Sequence, residues 1–105
     1  MAAVINTSPQ ASLRFSDSLF AQQPPEGSAG LPDSTLLDLA AQAGADRPAA
    51  EAAITSQRFA GWVTAATEAF AQKHTPSTPT VVINGTVLKD RDTKTLTAAI
   101  EAAAR

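Results

Sequence analysis

The stretch that decides the fold is TPTVVINGTVL, residues 78–88. Two runs rich in β-branched residues flank Asn84-Gly85. This pattern predicts a β-hairpin, because a type I′ turn requires a positive φ at both central residues and Asn-Gly tolerates it best. A two-residue turn pairs Ile83 with Thr86 and therefore Val81 with Leu88. We expect a hairpin over these residues.

Most of the remaining chain is predicted to be helical, with about five helices in all. Residues 2–5 could be a strand or the tail of a helix. Capping residues, proline and glycine then mark the ends of the helices. The expected helices begin at Ser8, at Asp33 or Ser34, after Asp46, at Ser56 or Gln57, and at Asp92 or Thr93.

Three of these helices carry finer expectations. Ser8 is predicted to cap the first one, and Gly44 is predicted to end the second at its C′ position. The fourth runs to about residue 73 and places Phe59, Val63, Ala66 and Phe70 on one apolar face, with Trp62 beside it as a core or interface residue. Further charged residues are interpreted as caps and solvated faces, among them Asp90, Arg91, Asp92 and Lys94.

The composition excludes several classes of chemistry. The 105 residues contain no cysteine and one histidine, so no thiolate metal site, Cys nucleophile, redox CxxC or His-pair zinc site can form. We expect no metal and no cofactor. The formal net charge of −2 argues against nucleic acid as the main partner, and no apolar run is long enough to span a membrane.

The predicted strand at residues 81–83 is apolar at consecutive positions, so both of its faces require cover. A two-stranded hairpin alone is only marginally stable in water. The sequence therefore looks short of sheet partners. Unpaired strand edges favour edge-to-edge association, so a homodimer or higher oligomer is expected.

The segment before the hairpin, residues 74–79, has two readings. It is either an ordinary loop that leads into a strand or a loop with a cis peptide bond at Thr78-Pro79. His74 is a candidate general base, but no nucleophile elbow surrounds it, and the favoured interpretation is a partly exposed helix-end histidine that interacts with the C-terminal end of the helix dipole. An unrelated small enzyme that uses His74 stays open as a hypothesis.

Four stretches together resemble the DsbA-like branch of the thioredoxin superfamily. TPTVVING at residues 78–85 resembles that branch's TPT-x-x-(V/I)-N-G strand. FSDSLFAQQP at 15–24 resembles its F-x-x-x-L-F-x-x-Q-P helix end, and LPDSTL at 31–36, with Ala40 and Gly44, resembles the next helix. FAGWVTAA at 59–66 lies where the family has a long helix before the TPT loop. The resemblance covers roughly residues 8–104.

This resemblance implies an α/β fold that is a partial thioredoxin-like unit, mostly helical with a C-terminal β-hairpin. It implies one domain over residues 1–105, with a helical insertion at 8–73 and a cis-proline loop, hairpin and final helix at 74–105. Ser77, Thr78 and Pro79 are the implied substrate-binding residues, and they would hold an extended peptide or protein substrate by main-chain pairing.

The chain departs from the family because the CxxC segment is absent, so no catalytic residue is assigned. The expected function is that of a truncated or partial DsbA-like thiol–disulfide oxidoreductase domain that is not redox-active by itself. The alternative is a non-catalytic module that binds peptides or associates with itself. Residues 1–10 have no positively charged start of the kind found in secretory signals, and the sequence leaves the compartment unknown.

Overall fold

The computed structural model describes residues 1–73 and 78–105, and two compact units divide the chain: Met1–Ala65 and Ala66–Arg105. The helices of the described residues are α1 (Ala2–Thr7), α2 (Ser12–Ala21), α3 (Asp33–Gln42), α4 (Arg47–Thr55), α5 (Ala60–Lys73) and α6 (Thr93–Ala103), with a 3₁₀ turn at Pro9–Ala11. The strands are β1 (Val82–Ile83) and β2 (Thr86–Val87).

The first unit has a small core made largely of alanine. Val4 and Phe15 are its largest fully buried apolar side chains, and alanines of α3 and of the 3₁₀ turn complete the cluster. Small side chains allow neighbouring helices to approach closely, so the short helices α1, α3 and α4 can pack together. The cluster comprises Val4, Ala11, Phe15, Leu39, Ala40 and Ala43, with Leu19, Leu31 and Ala45 packed against it.

Ser8 has a different role from the one predicted. It precedes the 3₁₀ turn, but its side chain makes no cap hydrogen bond there. Its Oγ instead accepts the backbone N–H of Asp46 at 2.9 Å, and the residue is only 2% exposed. Ser8 holds the predicted N-cap position before Pro9, but the prediction that its side chain caps the helix is wrong, because the hydroxyl joins two segments that are 38 residues apart in sequence.

The end of α3 and the start of α4 follow the predicted capping, whereas the start of α3 does not. Gly44 has a φ of +98°, and Gly44 and Ala45 donate to the carbonyls of Ala41 and Ala40, a Schellman motif that confirms the predicted C′ glycine. Asp46 caps α4 by accepting the N–H of Ala49 at 3.2 Å. At the start of α3, however, neither predicted cap is correct, since Pro32 occupies that position.

α5 begins at Ala60, later than the predicted start at Ser56 or Gln57. The reason is a second Schellman motif at the end of α4, in which Gln57 takes a φ of +51° and Arg58 donates to the carbonyl of Ala53. None of the α5 residues is buried, and Trp62 is 65% exposed. Trp62 is therefore not a core residue, and its alternative role at an interface stays a prediction.

The second unit confirms the hairpin prediction. Val82 pairs with Val87 and Ile83 with Thr86 in antiparallel register, and the N–H of Leu88 donates to the Val81 carbonyl at 2.9 Å. Asn84 and Gly85 have φ values of +48° and +81°, as a type I′ turn requires.

The architecture is thus a mostly helical α/β fold with a C-terminal hairpin, as expected. The described residues hold six helices where about five were predicted, because α1 forms in the segment left open between strand and helix. Within residues 1–73 and 78–105, no helix has both the length and the apolar character needed to cross a membrane.

Candidate functional site

Two of the three predicted binding residues lie where the chain enters β1. Thr78 and Pro79 are exposed, and the peptide bond between them is cis. Ser77 and His74 lie outside the described residues. The part of the predicted site that the structure describes is therefore a short, solvent-facing approach to the first strand of the hairpin.

The register of the hairpin determines which way each main-chain group of β1 points. In an antiparallel pair, residues alternate between positions bonded to the partner strand and positions directed to the other edge. The Val81 carbonyl is bonded to Leu88 of the opposite strand segment, so the N–H and carbonyl of Val82, one residue later, point away from β2. β1 therefore presents main-chain groups of Val82 along the edge that faces away from β2.

Arg91 extends the ladder between the two arms of the hairpin. Its Nη1 donates a hydrogen bond to the carbonyl of Pro79. Pro79 lies two residues before Val81, in the bend through which the chain enters β1. A guanidinium N–H thus adds one hydrogen bond beyond the one that Leu88 makes with Val81.

The local charge pattern predicts only a solvated face or a cap for Arg91, and this role was not predicted. It is exposed, but it contacts the predicted binding loop. The predicted register contained a signal that could have located it. Continuing the pairing of Val81 with Leu88 outward brings Pro79 opposite Asp90, so the next residue, Arg91, lies within reach of Pro79.

Asp92 fixes the chain directly after Arg91. Its carboxylate accepts the backbone N–H of Thr95 at 3.0 Å and the Thr95 hydroxyl at 2.6 Å, which caps α6 as predicted. These bonds, that of the Thr95 hydroxyl first, lower the pKa of Asp92 below its ordinary value. The carboxylate therefore remains charged at neutral pH and holds the first turn of α6.

Among residues 1–73 and 78–105, no cluster of three or more His, Asp or Glu side chains could hold a metal ion. The sequence has no cysteine, so the chain supplies no thiolate. Among the described residues, no third strand pairs with the edge of β1 that faces away from β2, which we call the open edge. Main-chain hydrogen bonding along it is thus the chemistry that the geometry of this site offers.

The first unit also has an apolar groove that the sequence did not predict. It has a volume of about 520 Å³ and lies between the α1 segment and the start of α5, where the side chains of Ile5, Phe59 and Trp62 line it together with Met1, Ala2 and Asn6. None of the lining side chains is acidic or basic. Met1 also carries the α-amino group, and burial lowers its pKa below the ordinary value, so the groove combines apolar contact with one titratable amine.

Comparison with known proteins identifies the class. The model of the family described as Thioredoxin matches residues 1–102, and the chain belongs to that family. Searches of curated proteins and of solved structures each found no match. The family match covers nearly the whole chain and supports a partial thioredoxin-like fold, and the absence of cysteine means that the chain by itself is not redox-active.

Proposed function

We propose that this chain is a partial DsbA-like domain that holds an extended peptide along the open edge of β1. In this proposal the peptide runs beside Thr78 and pairs with main-chain groups of β1. The chain acts as a binding module, since any thiol–disulfide exchange on the bound peptide requires cysteines from outside these 105 residues.

The observation that carries this proposal is the direction of the main chain at the entrance of the hairpin. Thr78 and Pro79 are exposed, and the N–H and carbonyl of Val82 point away from β2. An extended peptide laid along such an edge gains main-chain hydrogen bonds, the mode of binding called β-augmentation. The resemblance of residues 78–85 to the TPT strand of the DsbA-like branch supports the same location.

The proposal keeps the expected division of one domain into a helical insertion at 8–73 and a binding segment at 74–105. Ser77, Thr78 and Pro79 remain the proposed contact residues. Peptide recognition through main-chain groups depends weakly on side-chain sequence. We therefore expect the chain to bind unfolded polypeptides broadly, with affinity set by the number of residues that can lie extended.

Fluorescence anisotropy with a fluorescein-labelled insulin B chain, its cysteines alkylated, tests the proposal without redox chemistry. Val82→Pro removes an N–H from the proposed binding edge. Val87→Pro, the matched control, removes the N–H of its cross-strand partner, which points outward from β2. Val82→Pro should abolish binding and Val87→Pro should retain it. Equal affinity for both variants, or no binding by the unaltered chain up to millimolar concentration, overturns the proposal.

A second candidate function is association of the chain with itself through the hairpin. The supporting observation is that Val82 and Val87 are 38% and 45% exposed, so neighbouring apolar side chains of both strands face solvent. A second copy could lie along the same edge of β1 and exclude water from them. Light scattering at micromolar concentration should then give twice the chain mass for the unaltered protein and the single mass for Val82→Pro. A monomer in both cases contradicts self-association.

A further inference from the structure

We infer that Arg91 is a positioning residue that orients the Pro79 carbonyl and thereby sets the direction of the proposed peptide-binding edge; this inference rests on the proposed function. Arg91 Nη1 donates to the Pro79 carbonyl, and both residues belong to the unit Ala66–Arg105. Arg91 acts on the ligand through Pro79 and Thr78, so it is distinct from the residues that contact the peptide.

The contact acts at the bend through Thr78 and Pro79, where the chain enters β1. The Pro79 carbonyl accepts from Arg91, the Val81 carbonyl accepts from Leu88, and the main-chain groups of Val82 point away from β2. The hydrogen bond from Arg91 therefore fixes the orientation of the Pro79 carbonyl at the entrance of β1. Loss of this bond allows the Pro79 peptide plane to rotate. Fewer residues at the entrance of β1 then keep the fixed orientation that peptide binding requires.

Arg91 is itself held in place by its neighbour. Asp92 bonds both the N–H and the hydroxyl of Thr95, which anchors the backbone one residue after Arg91 to the first turn of α6. The guanidinium is planar and carries five N–H donors, whereas lysine offers a compact charge on a flexible stem. An arginine at this position can thus reach the carbonyl and keep a fixed orientation, and a lysine restores part of that effect.

The experiment compares Arg91→Ala, Arg91→Lys and Lys94→Ala, the last being a matched removal of one exposed positive charge on the first turn of α6. The first readout is affinity for the alkylated, fluorescein-labelled insulin B chain. We expect Arg91→Ala to weaken binding about ten-fold, equal to about 1.4 kcal/mol, Arg91→Lys to recover part of it, and Lys94→Ala to leave it unchanged. Because the guanidinium is exposed, the melting temperature should move little in all three.

The second readout needs no ligand. Carbonyl ¹³C NMR of the protein labelled at Pro79 reports the hydrogen bond directly, and Arg91→Ala should shift this resonance whereas Lys94→Ala should not. An unmoved resonance, or equal loss of affinity in Arg91→Ala and Lys94→Ala, overturns the inference. If the unaltered protein does not bind the B chain, the proposed function fails and the positioning role fails with it, even where the carbonyl shift shows that Arg91 holds Pro79.

Discussion

Replacing Ser8 with alanine tests the hydroxyl that joins the turn after α1 to the start of α4. Ser8 is 2% exposed, and its Oγ accepts the N–H of Asp46 at 2.9 Å. Asp46 is in turn the cap of α4, where it accepts the N–H of Ala49. Alanine at position 8 leaves the Asp46 N–H without its acceptor at the residue that begins α4, so the substitution should loosen α4 as well as the Ser8 turn.

The magnitude follows from the cost of an unmatched hydrogen-bonding group. A buried donor left without a partner costs about 1–3 kcal/mol, and we expect about 1–2 kcal/mol here because the bond is only partly buried. In a domain of this size each kcal/mol lowers the melting temperature by roughly 4–8 °C. Urea denaturation followed by circular dichroism measures the change in the free energy of unfolding.

Ser56→Ala is the matched control. The Ser56 hydroxyl also makes one hydrogen bond, to the Ala52 carbonyl at 2.6 Å, but it is exposed to water and lies at the end of α4. Its removal should change the free energy of unfolding by no more than about 0.5 kcal/mol. Equal losses for Ser8→Ala and Ser56→Ala would refute the reasoning, because burial and the long-range bond would then make no difference.

Two further substitutions test the local geometry. Gln57→Gly should stabilise the fold by roughly 1 kcal/mol, because Gln57 has a φ of +51°, whereas Gly44→Ala should destabilise it by a similar amount at a φ of +98°; urea denaturation of both variants checks the opposite signs. The lowered pKa of Asp92 means that its carboxylate stabilises the fold above the unfolded value of about 3.9 and loses this effect as the pH falls through the lower folded pKa. Asp92→Asn should therefore differ from the unaltered protein near neutral pH and converge with it in acid, and a constant difference in thermal stability across pH 2–7 would contradict this.

Local rules predicted the hairpin and the caps at Gly44, Asp46 and Asp92 correctly. Asn84-Gly85 specifies its turn and register because few residue pairs tolerate two positive φ values in succession. Gly44, Asp46 and Asp92 likewise act on backbone groups within a few residues of themselves, so their roles can be read from nearby sequence.

Contacts between segments that are distant in the sequence could not be predicted from local patterns. Ser8 has the sequence pattern of a helix cap, but its partner, Asp46, is 38 residues away and is fixed only by how the helices pack. Gln57 takes a left-handed conformation that side-chain propensity disfavours, and this delays the start of α5. Trp62 has the apolar character of a core residue, yet the first unit leaves it 65% exposed.

The candidate site was only partly predictable for the same reason. Thr78 and Pro79 were singled out through the resemblance of residues 78–85 to a known strand, and the structure describes both at the entrance of β1. Arg91 belongs to no recognised sequence motif, and nothing in its local sequence distinguishes it from an ordinary exposed charged residue. Its role depends on the register of the hairpin, which brings a residue 12 positions along the chain to the Pro79 carbonyl.

The central claim is that the open edge of β1 binds an extended peptide. Titration of the ¹⁵N-labelled protein with the alkylated insulin B chain, followed through the amide resonances, tests it most directly. The account predicts that the largest shifts occur at Thr78, Thr80 and Val82, with small changes at Ile5 and Trp62 in the apolar groove of the first unit. Shifts concentrated at Ile5 and Trp62, or no shifts up to millimolar peptide, would contradict it.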